Sequence, residues 1–388
     1  MEYLLFLGLA AGELLRLPIF NSGGVILLDI SLVIFGLASL LKYHRFKSPP
    51  FSIKVGVVFV VISLLSQLFS PLSLSFNERL IGVSYIIRFL LYLAAGFLIS
   101  MNFFQLKKNT LQLLLSSGIT LAILGLLQLI FIPNLQFLVS SGWDPHYFRT
   151  VSTFLDPNFA GAFFGLTLIV LYLFKPFSKR IFLVVFSLLF IALLTTFSRG
   201  SYLLFGVSFL TISLLTRSTK TLALTTILTA ILIVGFLTYG PLIAAPRNID
   251  RTNSAAQRVD TWQQGILIFE KNPILGVGFN NYRFALKDYQ LAPPEQINSH
   301  GGASNDSSLL FVAATTGIVG LIAYLGFLGA IFITSFRNWQ QKNVWGVVII
   351  SGLLGLLAQS FFANTLFYPA LLGWLTLSIS QLSDKTPS

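Results

Sequence analysis

Apolar runs of membrane-crossing length recur along almost the whole chain, and they decide what it can fold into. A helix rises about 1.5 Å per residue, so about 20 apolar residues cross the roughly 30 Å hydrocarbon core of a bilayer. Such runs occupy 3–20, 24–41, 51–70, 80–101, 110–131, 157–174, 181–197, 200–216, 221–243, 307–335, 344–362 and 364–382. They are rich in Leu, Ile, Val and Phe without strict alternation, which argues against a β-barrel. Charged residues are 10% of the 388, against about 25% in a soluble domain. Too few charges remain to cover a water-facing surface. The expected fold class is all-α, a polytopic integral membrane protein with about twelve transmembrane helices.

A net charge of +12 would suggest nucleic acid in a soluble protein. Here the cations read as topology signals in short loops, and no nucleic-acid partner is expected. One set of loops is basic and free of Asp and Glu: Lys42, Arg45, Lys47 and Lys54; Lys107 and Lys108; Lys175, Lys179 and Arg180; Arg217 and Lys220; Arg337 and Lys342. The alternate set, 18–24, 71–79, 132–156, 197–201 and 244–306, is poor in Lys and Arg or long. This alternation places both termini in the cytoplasm and 244–306 outside, between spans nine and ten. Cysteine is absent, which excludes disulfides, thiolate nucleophiles and zinc–thiolate sites. Met1 to Phe20 lacks a basic n-region and contains Glu13 and Arg16, so it reads as a first span, not a signal peptide. No repeat or soluble domain is visible, and 1–388 reads as a single membrane domain.

The long polar segment carries Arg247, Arg251, Arg258, Lys271, Arg283 and Lys287, with His300 and Asp306 as candidate proton acceptors. Within it, 254–271 reads as an amphipathic helix. Ser254 with Gln257 fits a capping box, Arg258 and Trp262 share a face, and Pro273, Gly276 and Gly278 end the helix.

Arg199 lies between two spans with almost no loop, where an unpaired charge is costly unless it faces a wet cavity or snorkels to headgroups. A guanidinium there could bind phosphate bidentately. Arg88 falls inside the span 80–101, as a functional cation or as the structural partner of Glu13 or Asp29. Arg149 belongs to an outer segment, and cations converging at one face suit an anionic, lipid-linked substrate. Asp306 or His300 could take a proton from a sugar hydroxyl, although Asp306 also suits an N-cap. No Asp-x-Asp pair, zinc-type spacing or phosphate-binding Gly-rich loop is present, so neither a metal nor a nucleotide cofactor is expected.

Five motifs then fall in order. They are Ser152-Thr-Phe-Leu-Asp-Pro-Asn158, Thr196-Phe-Ser-Arg-Gly200, Arg258-Val-Asp-Thr-Trp262, Asn272-Pro-Ile-Leu-Gly-Val-Gly278, and Asn305-Asp-Ser-Ser-Leu309 leading to Thr316-Gly-Ile-Val-Gly320. Their combination resembles the O-antigen ligase and O-antigen polymerase superfamily of bacterial membrane glycosyltransferases, over roughly residues 150 to 335. The resemblance implies metal-independent transfer of a glycan from undecaprenyl diphosphate to a glycan or lipid acceptor, at the outer face of the plasma membrane. It implies that Arg199 and Arg258 hold the donor diphosphate, with Arg88 and Arg149 as helpers. Asn158, Trp262 and Asn305 fall in its motifs as further substrate-binding candidates. Its ligases place a His-Asn pair where this chain has Asp306 and Ser307, which tilts the expectation towards a repeat-unit polymerase. A single displacement would invert the anomeric carbon. One branch has been called a bicarbonate transporter, so a secondary transporter of a small anion is the alternative. That function would use mid-membrane polar groups, here Glu13, Arg16, Asp29 and Arg88.

Overall fold

The computed structural model describes residues 1–19, 23–43, 48–144, 146–244 and 251–383. α1 (Glu2–Ala11) leads into an antiparallel hairpin, β1 (Arg16–Ile19) and β2 (Gly23–Ile26), with Arg16 paired to Ile26. Then come α2 (Leu27–Lys42), α3 (Phe51–Leu68), α4 (Phe76–Ser100), α5 (Leu106–Phe131), α6 (Pro157–Phe174) and α7 (Lys179–Thr195). α8 (Arg199–Thr216), α9 (Thr219–Ala244), α10 (Arg251–Lys271), α11 (Tyr282–Asp288) and α12 (Pro294–Asn298) follow. The chain closes with α13 (Ser308–Gln340), α14 (Val344–Gln359) and α15 (Pro369–Ile379). Arg45, Lys47 and Arg247 lie outside the described residues, as does the side chain of Arg251.

The protein is an all-α membrane protein. Among the described residues, seven helical segments, built on α3, α4, α5, α6, α8, α9 and α13, are long and apolar enough to cross a bilayer. Five of the twelve expected runs, those of α1, α2, α7, α14 and α15, form helices of 10 to 17 residues. The first apolar run, 3–20, yields only the ten residues of α1, about 15 Å of rise and half a bilayer. Gly12, at φ +53, ends that helix, and Glu13 N–H bonds Thr153 O at 2.9 Å. Pro18 then sits in β1, where a residue without N–H cannot extend a helix. α14 and α15 are also short, at 16 and 11 residues. The amphipathic helix begins at Arg251, so Ser254 lies inside it and is not its N-cap.

α6 is the most enclosed of the spanning helices and α9 the least. α6 packs among α5, α7, α8 and α14, and Ala160 to Leu171 are buried almost without interruption. That fits a helix apolar on every side and surrounded by others.

α13 has 33 residues, about 50 Å of rise and more than a bilayer needs. It is broken at Gly317, with φ +66 and ψ −170, a conformation open essentially to glycine alone. The break frees the carbonyls of Ala314 and Thr315 and the N–H groups of Ile318 and Val319. The turn after α10 takes up all four. Val277 N–H bonds Ala314 O at 3.2 Å and Gly278 N–H bonds Thr315 O at 2.9 Å. Ile318 N–H bonds Pro273 O at 2.8 Å and Val319 N–H bonds Ile274 O at 3.3 Å. α3 grips the same joint: Ser66 Oγ donates to Leu275 O at 2.6 Å and Thr315 O at 2.8 Å. Asn281 Nδ2 donates to Gln67 Oε1 at 2.5 Å.

A Cβ at Gly317 would lie 2.1 Å from Ile274 O, and one at Gly276 2.4 Å from the carbonyl carbon of Thr315. Gly329, farther along α13, has nothing within 4 Å. Gly317→Ala and Gly276→Ala should therefore each destabilise by about 1–3 kcal/mol from backbone strain alone. Thermal unfolding in detergent should show a lowered midpoint for both and none for Gly329→Ala. Equal midpoints for all three would contradict the joint.

Candidate functional site

Two helix N-termini form the floor of the site. Asp156 caps α6, accepting from Asn158 N–H at 2.6 Å and Phe159 N–H at 3.4 Å, and Pro157 opens the helix without needing a donor. Ser198 caps α8, accepting from Ser201 N–H at 3.2 Å. The caps are tied together. Ser198 Oγ donates to Asn158 Oδ1 at 2.7 Å, and Ser201 Oγ donates to Asn158 O at 2.9 Å. Gln359, the buried last residue of α14, donates its amide to Asn158 O at 2.9 Å. Asn158 thus gives both its side-chain and its backbone oxygen to the frame between the two caps.

Arg149 has a similar fate. Its Nε donates to Thr196 O at 2.8 Å and a terminal nitrogen to Phe197 O at 3.4 Å. A cation there satisfies the last carbonyls of α7 and its dipole. Arg149 holds the turn into α8, where Phe197 takes φ +48.

Arg199 is the first residue of α8 and is exposed, its guanidinium 5.9 Å from the ring centroid of Phe236 on α9. Arg258 comes from α10 and is half-buried. Burial pulls its guanidinium below the usual value, Asp306 and Asp156 act against that, and Arg199 adds to it. Elements far apart in sequence therefore bring two cations and two carboxylates into one electrostatic neighbourhood. Among the described residues neither cation has a carboxylate oxygen within 4.0 Å. Trp262 lies one turn from Arg258, its ring 6.0 Å from that of Phe362 and its buried Nε1 without a hydrogen-bond partner.

Asp306 lies just ahead of α13. The cap of that helix is Ser307, whose Oγ accepts from Leu310 N–H at 3.4 Å. The Asp306 carboxylate turns instead to α10, where Oδ2 accepts from Thr261 Oγ at 3.1 Å. Burial pushes Asp306 above the usual carboxylate range, against the Thr261 bond and the charge of Arg258. Asn305 was expected to face substrate. It is 0% exposed, and its amide donates to Tyr282 OH at 2.9 Å and to Thr261 O, while its Oδ1 accepts from Ser307 N–H at 2.8 Å. It fixes the backbone that aims Asp306.

His300 is not part of this group. Its ring sits 4.3 Å from that of Trp143, its Nε2–H donates to Ser141 O at 3.1 Å, and the charges acting on it are Arg16 and Arg283. It clasps the 132–156 segment to the long loop. Arg88 is bound to Asp29, with its terminal nitrogen 2.7 Å from Oδ2 and its Nε 3.1 Å from each oxygen. Of the two carboxylates offered as structural partners, Asp29 is the one that pairs with it. Among the described residues no three His, Asp or Glu side chains cluster as metal ligands would.

The O-antigen ligase family model matches residues 182–325. Over that segment the chain is similar to the O-antigen ligase family. A comparison with curated proteins gave no match. The matched segment runs from α7 into α13. It contains Arg199, Arg258, Trp262, His300, Asn305 and Asp306, while Arg88, Arg149 and Asn158 precede it. The family is an enzyme family of ligases and polymerases.

Sequence reasoning missed Thr261, Tyr282, Ser198 and Gln359 as the residues that hold this group in place. Gln359 had a visible signal, since an amide inside an apolar run must find a partner. Gln359→Leu should keep the protein folded yet loosen the α6–α8 floor, seen as faster hydrogen exchange at residues 156–160 and 198–202. Unchanged exchange there would contradict the tie.

The His300 ring is held near a pKa of about 4, chiefly by burial, against about 6.5 when unfolded. Its neutral form is the one the fold prefers. The clasp is therefore complete above about pH 6.5 and weakens as pH falls through about 4. Protection of 299–303, taken relative to intrinsic exchange at each pH, should fall as pH drops through that window, and His300→Phe should remove the fall.

Proposed function

We propose that the chain transfers a glycan from undecaprenyl diphosphate to an acceptor hydroxyl at the outer face of the bacterial plasma membrane. The observation that carries this is the convergence of Arg199 and Arg258, without carboxylate partners of their own, beside the half-buried Asp306. A diphosphate between the two guanidiniums would receive two fixed charges in a partly desolvated place. As the acceptor oxygen attacks the anomeric carbon, its proton passes to Asp306. The bond from that carbon to the diphosphate oxygen breaks, and the diphosphate leaves with its charge matched by the cations. A single displacement inverts the anomeric carbon. The step requires neither metal nor nucleotide. Asp306, where the family's ligases carry histidine, favours a repeat-unit polymerase over a ligase. The transporter alternative would need mid-membrane polar groups, and of the few present Arg88 and Asp29 pair with each other.

Removing one fixed cation from a developing charge costs on the order of 10²-fold in rate. Purified protein supplied with undecaprenyl diphosphate oligosaccharide should give a ladder of repeats by mass spectrometry. Arg199→Ala and Arg258→Ala should each slow the ladder by about that factor. A product only when lipid A core is added would mean a ligase. No transfer by folded wild-type protein would sink the proposal.

Asp306 must be ionised to accept a proton. Because its carboxyl titrates above the usual range, kcat/KM should rise with pH through a midpoint above about 3.9. Asp306→Asn should abolish that limb along with most of the activity. A retained limb would assign the base elsewhere.

A further inference from the structure

A cavity of about 160 Å³ adjoins the site and is used by none of the chemistry above. Tyr85 and Arg88 of α4, Phe159 of α6, Glu13, Asn364 and Tyr368 contribute to its polar and aromatic wall. It abuts the reaction centre through the chain itself. Ser304, in its lining, precedes Asn305 and Asp306, and Phe159 follows Asn158, which anchors the cap before Arg199.

The wall is polar but internally neutralised. Glu13 Oε2 is 3.2 Å from Arg16, and Arg88 holds Asp29. A phosphate would find no unpaired cation here, in contrast to the space between Arg199 and Arg258. The aromatic content is high: Phe159 and Tyr368 stack at 3.9 Å, and the Arg88 guanidinium lies 4.7 Å from the centre of the Tyr85 ring. One polar atom has nothing to bond. Asn364 Oδ1 is buried and without a hydrogen-bond partner, which a hydroxyl donor from a ligand would satisfy. Apolar faces with a few fixed polar groups suit a sugar ring, which has C–H faces and a hydroxyl edge. The volume lies below the roughly 300 Å³ at which pockets for drug-sized ligands begin, so a single ring fits the scale.

We infer that this cavity seats one uncharged pyranose ring of the donor or acceptor glycan, with Asn364 and Glu13 accepting its hydroxyls and Tyr85, Phe159 and Tyr368 packing its faces. The inference rests on the glycan-transfer function proposed above. It divides the substrate between two places, diphosphate at the cations and sugar in the neutral cavity.

The test uses the full chain in nanodiscs, an undecaprenyl diphosphate oligosaccharide as donor and the same oligosaccharide as acceptor. Ala303→Leu adds bulk at the cavity lining and Asn364→Ala removes the orphan acceptor. Each is first checked for a wild-type melting profile, and either one that passes serves. KM for one glycan should rise by at least about tenfold with kcat nearly unchanged, the signature of lost uniform binding. A shift in acceptor KM assigns the ring to the acceptor, and a shift in donor KM assigns it to the donor. Active, folded variants with neither KM changed would overturn the sugar site and leave the transfer function standing. A wild-type chain that transfers nothing would remove the function and this inference together.

Discussion

The broken hydrogen bonds of α13 are the constraint on which the site depends. A spanning helix interrupted at Gly317 leaves four backbone groups unpaired at membrane depth, where none can be left open. The turn 273–278 supplies the matching four. That exchange ties the segment after α10 to the bundle, and α10 carries Arg258, Thr261 and Trp262. The loop is positioned by backbone pairing, which has one register, and not by side-chain packing alone. α3 locks the joint from the other side through Ser66 and Gln67.

The same logic of committed polar groups separates the cations. Arg88 and Arg149 are spent on a carboxylate and on helix carbonyls respectively. Arg199 and Arg258 have no such partner within 4.0 Å among the described residues. Of the two, Arg258 is half-buried and carries the desolvation cost, which a substrate anion would relieve on the proposed function. The hydrogen bonds to Asp306 and Asn305 show the converse: one buried amide orders the backbone so that a neighbouring carboxylate points across to α10.

Much of this was legible in the sequence. Hydropathy gave the all-α membrane class, and ordered motifs led to the superfamily that the family match supports. The amphipathic pattern marked α10 to within three residues of its start. What hydropathy could not see was where an apolar run stops being a helix. Glycine 12 and Pro18 cut the first run short, and their effect is visible only once Thr153 is beside Glu13. Nor could motif order separate ligands from supports. Asn158 and Asn305 sit inside the motifs, and Arg149 three positions ahead of the first, and each bonds the frame. His300 and Asp306 are six positions apart in the chain yet serve different neighbourhoods, since the 3-10 turn at Gly301–Ala303 lies between them.

The most direct measurement is a cryo-electron microscopy map of the full chain with undecaprenyl diphosphate in nanodiscs. The account requires diphosphate density bridging the guanidiniums of Arg199 and Arg258, within reach of Asp306. Density seated at Arg88, or away from both cations, would contradict it.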